Sequence, residues 1–173
     1  MINPRTLFAA LLVALACTAP SVAAEGDNIE ARAGELRIIH LWTLDPAKFM
    51  EAWKGPTPPN LSTSTKTKRN QPIQQFILYA NCKQDAAGQC HLSARVEIAA
   101  PDGTPYGQPM LFDALPPSPA APAGTISLAP KSIGFTVEDG EQLGLYRVTL
   151  AVTDRNAGVT AVSRVSLQVD EAE

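Results

Sequence analysis

Few residues in this chain have side chains suited to chemistry. It carries three cysteines and two histidines. Cys82 and Cys90 lie eight positions apart. Behind an export leader, such a pair reads as a disulfide. The competing reading is a metal site built from Cys82, Cys90 and His91. Cys90 and His91 are neighbours on one strand and point to opposite faces, so they do not readily share an ion. A Cys-x-x-Cys redox motif is absent. His40 and His91 sit in strand-like segments with no nucleophile or ligand cluster around them, and polar-face histidines are the common case. The loop carboxylates Asp102, Asp113, Glu138, Asp139, Glu141 and Asp154 are scattered. Calcium between loops that carry Asp139, Glu141 and Asp154 is a reading without a repeated Asp spacing behind it. No Gly-rich phosphate loop, zinc-binding helix or nucleophile motif occurs. The sequence therefore assigns a disulfide, Cys82 with Cys90, and no catalytic, cofactor or metal residue.

The elements around the cysteines set their position. Gln74–Cys82 and Cys90–Ile98 read as two strands flanking residues 83–89. In the second, Cys90, Leu92, Ala94, Val96 and Ile98 alternate with polar His91, Ser93, Arg95 and Glu97, which defines a core face. In the first, Phe76, Leu78, Ala80 and Cys82 share a face. A hairpin closed by the disulfide would set Ala80 opposite Leu92, Leu78 opposite Ala94 and Phe76 opposite Val96. A second hairpin ends the chain. Tyr146, Val148, Leu150 and Val152 point inward on one strand, and Val159, Ala161, Val165, Leu167 and Val169 on the other. Residues 154–158 form the turn.

Between these lie shorter pieces. Residues 36–42 read as a strand. Asp45-Pro46 opens a short helix, with Asp as N-cap and Pro in the first turn, and Gly55 closes it. Phe49, Met50 and Trp53 share its apolar face. That face reads as a plug buried at one end of a sheet, with an aromatic ligand-binding lip as the alternative. Residues 61–70 read as an edge strand guarded by Lys66, Lys68 and Arg69. Pro101-Asp102-Gly103 marks a turn. Residues 109–114, 125–128 and 132–138 read as short strands, and the proline-rich 115–124 as a loop. Turn signals roughly 8–12 residues apart indicate a β-sandwich or barrel.

The first 24 residues carry the pattern of an export signal: a positive start at Arg5, the apolar run 6–16, and small residues before Glu25. The apolar run is shorter than the roughly 20 residues a membrane span needs. A rival cleavage site precedes Cys17 and would make that residue a lipid anchor. Ala14 stands where such sites usually carry Leu, Val or Ile, so cleavage after Ala24 fits better. Residues 25–35 read as a polar, flexible segment and 36–173 as one domain. The net charge is −3, and loss of Arg5 with the leader makes it one unit more negative. Such a chain has no positive field for nucleic acid or anionic lipid. The expected compartment is the periplasm or the exterior, with no transmembrane segment in the mature chain.

The stretch 144–154, G-x-Y-x-V-x-L-x-V-x-D, resembles the last hairpin of bacterial immunoglobulin-like, PKD-like and fibronectin III-like sandwiches. Tyr146 occupies the place of their corner tyrosine. The W-D-F-G-D-G segment of PKD domains is missing. With the F-x-x-x-W helix and the P-D-G-x-x-Y turn, the chain is similar to small exported bacterial proteins of unknown function. The resemblance implies an all-β, immunoglobulin-like antiparallel sandwich of about seven strands with one short N-terminal helix and a hairpin disulfide. It implies no activity, because such folds host many functions. The expected role is a non-catalytic binding or interaction module for a protein or polymer partner in the envelope. An accessory structural envelope protein is the second reading, and a hydrolase using His40 or carboxylates the third.

Overall fold

The inward apolar stripes close into two sheets packed face to face. The computed structural model describes residues 26–55 and 59–172. The expected leader, with Cys17 and both candidate cleavage sites, lies outside these. Ten strands and one helix run in the order β1 (Glu30–Ala33), β2 (Leu36–Thr43), α1 (Pro46–Lys54), β3 (Lys66–Lys68), β4 (Ile73–Ala80), β5 (Gln89–Ala99), β6 (Met110–Pro119), β7 (Ser127–Leu128), β8 (Ile133–Phe135), β9 (Gly144–Asp154) and β10 (Val159–Asp170). The first sheet has the order β1-β2-β4, with β7 and β8 sharing the far edge of β4. The second has the order β3-β10-β9-β5-β6. One buried cluster gathers residues of both sheets, among them Trp42, Ile77, Val96, Tyr146 and Leu167. The chain is thus a mostly-β, two-sheet sandwich.

The terminal hairpin forms as its pattern dictates. Val165 pairs with Val148 and Leu167 with Tyr146, and the inward side chains of β9 are fully buried. The pairing of β3 with β10 is parallel, so the sandwich is not wholly antiparallel. Residues 30–33, expected to be loose, form an edge strand against β2. Just before it, Asn28 bonds to Arg164 of the second sheet, so this segment passes from one sheet to the other. Residues 115–119, expected in a loop, continue strand β6. β6 is an edge strand, where proline's missing N–H can face solvent.

The cysteine hairpin is the main correction. Cys82 and Cys90 are bonded, with Cα atoms 5.8 Å apart, but β4 and β5 do not pair. Phe76 lies opposite Leu41 of β2, and Leu78 opposite Ile39. Val96 lies opposite Leu150 of β9. The loop is a crossover between sheets, and the disulfide ties its two ends. Asn81, at φ 58°, turns the chain there. The core face of β4 is also the opposite one: Ile73, Gln75, Ile77 and Tyr79 face the other sheet. Phe76, Leu78 and Ala80 are buried on the outer face. With both faces covered, alternation loses its information.

The outer cover is α1. Asp45 caps it by accepting the Lys48 N–H at 2.9 Å. The ring of Phe49 stacks flat on Phe76, centroids 4.2 Å apart. The helix lies on the outer face of the first sheet rather than plugging its end. Phe49 is fully buried, whereas Trp53 is half-buried, so the anchor is Phe49. Phe49→Ala should cost about 3–5 kcal/mol in urea unfolding, as large core truncations do, and Trp53→Ala less. Equal losses would contradict this assignment. A Cys82→Ser/Cys90→Ser variant should fold and lose about 2–3 kcal/mol, because the closed loop is short. A variant that cannot fold would contradict that modest contribution.

Candidate functional site

His40 is inward on β2, in the stripe Leu36, Ile38, His40 and Trp42, and only 1% exposed. It is a point where the two sheets are joined by a side-chain hydrogen bond. Its Nδ1 lies 2.9 Å from Ser163 Oγ of β10. Its Nε2 lies 2.9 Å from Trp42 Nε1 and 2.7 Å from Gln75 Nε2. An indole N–H can only donate, so Nε2 must be the accepting nitrogen. The ring proton is therefore on Nδ1, and Nδ1–H donates to Ser163. Gln75 Oε1 has no hydrogen-bond partner among the described residues.

A serine activated by histidine must give its proton to a bare ring nitrogen. The His40–Ser163 pair runs the other way, with the ring nitrogen as donor. Ser163 is 0% exposed, so no substrate meets its oxygen. The pair links β2 to β10. Burial pushes the His40 imidazole down to about 3, because a charge there would lose its water and turn an N–H toward the indole N–H.

The other expected residues are dispersed. His91 sits on the outer face of β5, with Nε2 3.2 Å from Asp113 Oδ1; Cys90 beside it is buried on the inner face. Asp154 is buried and accepts the backbone N–H of Lys83 at 2.6 Å, and those of Asn156 and Ala157. It welds the disulfide crossover to the β9–β10 turn. Glu141 accepts the Tyr106 hydroxyl at 2.8 Å and the Glu138 N–H. Asp102 binds Thr104 and Gln142, and Asp139 binds Asn70. Glu141 precedes β9 and Asp154 ends it. Eleven residues of strand separate these ends by roughly 30 Å. One ion cannot bridge them.

What remains open is the outer face of the second sheet. Among the described residues no helix lies on it, and its strands present Ser93, Arg95, Glu97, Arg147, Thr149, Thr153, Thr160, Arg164 and Ser166 outward in alternation with the core residues. Two hollows open there. A groove of about 850 Å³ is bounded by the strands, the 103–109 turn and Asp27. A shallower hollow of about 580 Å³ lies beside β6, next to Leu111, which is 73% exposed. Sequence reading saw this polar stripe only as the solvent side of the strands.

No family model matches the chain, and no curated protein does. Solved structures similar to parts of it include the CARDB domain of a Pyrococcus furiosus protein, crystallised in complex with di-metal ions. That match has a TM-score of 0.38 and 17% identity over 62% of this chain and 86% of that one. A Niemann-Pick type C2 protein from the Japanese carpenter ant is similar at TM-score 0.41 and 8% identity, over 84% of this chain and 96% of that one. Both likenesses are low in score, and neither assigns this chain a ligand.

The His40 arrangement has a pH signature. The folded imidazole takes a proton near pH 3 and the free one near 6.5. Between these values the unfolded chain holds more protons, so stability is full above 6.5 and falls as pH drops toward 3. Each unit in that window costs about 1.4 kcal/mol. In urea unfolding between pH 7 and 4.5, the wild type should lose about 2–3 kcal/mol more than His40→Gln. Parallel profiles for the two proteins would show that His40 is not held neutral.

Proposed function

We propose that this protein is an exported, non-catalytic binding module that captures a protein or polymer partner on the outer face of its second sheet. The carrying observation is the asymmetry of the sandwich. One outer face is covered by α1 through Phe49, and among the described residues the other is left bare with two hollows. A sheet face furnished with Ser, Thr and Arg and lined by preformed walls suits recognition. Export is supported by the leader pattern and by the disulfide, which persists in oxidising compartments.

The sandwich is read as immunoglobulin-like. Taking β2, β4 and β7–β8 as strands A, B and E, and β5, β6, β9 and β10 as C, C′, F and G, both sheets follow that strand order. The Tyr146 hydroxyl donates to Gln142 O at 2.6 Å, four residues upstream, which is the bond of a tyrosine corner. The second reading, an envelope protein acting by self-assembly, draws its support from Leu111 on the open edge of β6. A hydrolase built on His40 draws none from its surroundings.

The test is photocrosslinking in the envelope. A crosslinkable residue at Thr149 or Ser93 should trap a heterologous partner, while one at Lys48 or Glu51 on the helix should not. Trapping only at the helix positions, or only of a second copy of the chain, would overturn the binding reading.

A further inference from the structure

Most edges of the two sheets are short. β1 has four residues, β3 three, β7 two and β8 three, and short edges give another chain little to pair with. Among the described residues β6 is the exception. It runs ten residues along the rim of the second sheet. Its last part is guarded by Pro116, Pro117 and Pro119. Between Pro109 and Pro116 lies Met110-Leu111-Phe112-Asp113-Ala114-Leu115, with a single charge and no proline. Leu111 is 73% exposed.

The backbone of this run is open on one side. On β5, Ile98 O accepts the Tyr106 N–H and the Ala100 N–H donates to Thr104 O, both on the side of β6. Bonding direction alternates along a strand. Ala94 and Val96 therefore also turn toward β6, where they meet Phe112 and Met110. Met110 and Phe112 bond inward to β5, and Leu111 and Asp113 turn their N–H and C=O outward. No partner meets those outward groups among the described residues.

We infer that β6 pairs antiparallel with β6 of a second copy of this chain, about a twofold axis at Phe112. In such a pair the residue on the axis faces itself, and the side chains select which residue that is. An axis at Asp113 would set carboxylate against carboxylate. An axis at Leu111 would set Pro109 opposite Asp113, and proline has no N–H to give. Axes further out bring a proline directly into the ladder. With Phe112 on the axis, Leu111 exchanges both backbone bonds with Asp113 of the partner, and symmetry repeats the exchange. Phe112 meets its own copy at a non-hydrogen-bonded position, where side chains come closest and aromatic pairs are favoured. The charges agree as well. Leu111 lies opposite Arg95 on β5, so the partner's Asp113 joins the row of that guanidinium. Only Oδ1 of Asp113 is engaged, by His91. Edge pairing leaves β9 and β10 uncovered, so the inference stands apart from the binding reading and is compatible with a partner on the outer face.

Sedimentation equilibrium of the purified protein tests this. The wild type should move from monomer toward dimer mass as concentration rises, and no further. Leu111→Pro removes an outward N–H and should raise the dissociation constant at least roughly tenfold. Charge at the same position separates this register from general adhesion by an exposed leucine. Leu111→Lys places an ammonium opposite Asp113 of the partner and should dimerise at least as tightly as the wild type. Leu111→Glu places like charges opposite each other twice per dimer and should weaken it at least roughly tenfold. If proline disturbs the strand, the contrast between Lys and Glu, at a side chain facing solvent, still decides. A monomer at every concentration, growth beyond a dimer, equal losses in the Lys and Glu variants, or a dimer indifferent to both charges would overturn the inference.

Discussion

A neutral imidazole lies where the two sheets press together, and the rest of the sandwich has to satisfy it. His40 accepts from the Trp42 indole and donates to Ser163 across the interface. A buried polar group left unpaired costs about 1–3 kcal/mol, so the positions of β2, β4 and β10 are coupled through this ring. A one-residue slip of β2 would put Ile39 or Leu41 in the place of His40, and one of β10 would put Val162 or Arg164 in the place of Ser163. Apolar burial brings the sheets together, whereas the hydrogen bonds of His40 specify how they meet.

The crossover between β4 and β5 is the second fixed point. Asp154, itself buried, holds the Lys83 N–H. Asn156 Nδ2 donates to Lys83 O and Gln89 O. The disulfide closes the same loop. This end of the molecule is therefore rigid and internally satisfied. With α1 packed on the first sheet, the outer face of the second sheet is the one that presents Ser, Thr and Arg side chains among the described residues. Interior polarity serves the fold.

The parts legible in the sequence are those with one wet face. β5, β9 and β10 alternate, and their inward residues are buried as expected apart from the half-buried Val159. The capped helix was readable from Asp45, Pro46 and Gly55. β4 was not, because burial on both faces removes the parity signal. Its partner was misassigned as β5, since a cysteine pair eight apart fits a crossover as well as a hairpin. The prolines of β6 argued for a loop only because edge position has no sequence signature. The His40–Ser163 link did leave a trace: each residue is the polar gap in an otherwise apolar inward stripe. Two such gaps in facing strands are a signal of a buried polar pair. The groove, by contrast, is assembled from Asp27, the 103–109 turn and three strands, and no local spacing announces it.

Which nitrogen of His40 carries the proton decides how the two sheets are joined. Long-range nitrogen–proton correlation NMR on labelled protein reads this directly. The structure requires Nδ1 protonated and Nε2 bare, with both shifts unchanged from neutral pH down to about 4.5, since the folded imidazole titrates only near pH 3. An Nε2-protonated ring, or one that titrates near 6.5 like a free imidazole, would contradict it. The first result would mean that Ser163 faces a bare nitrogen, and the second that burial does not hold the ring neutral.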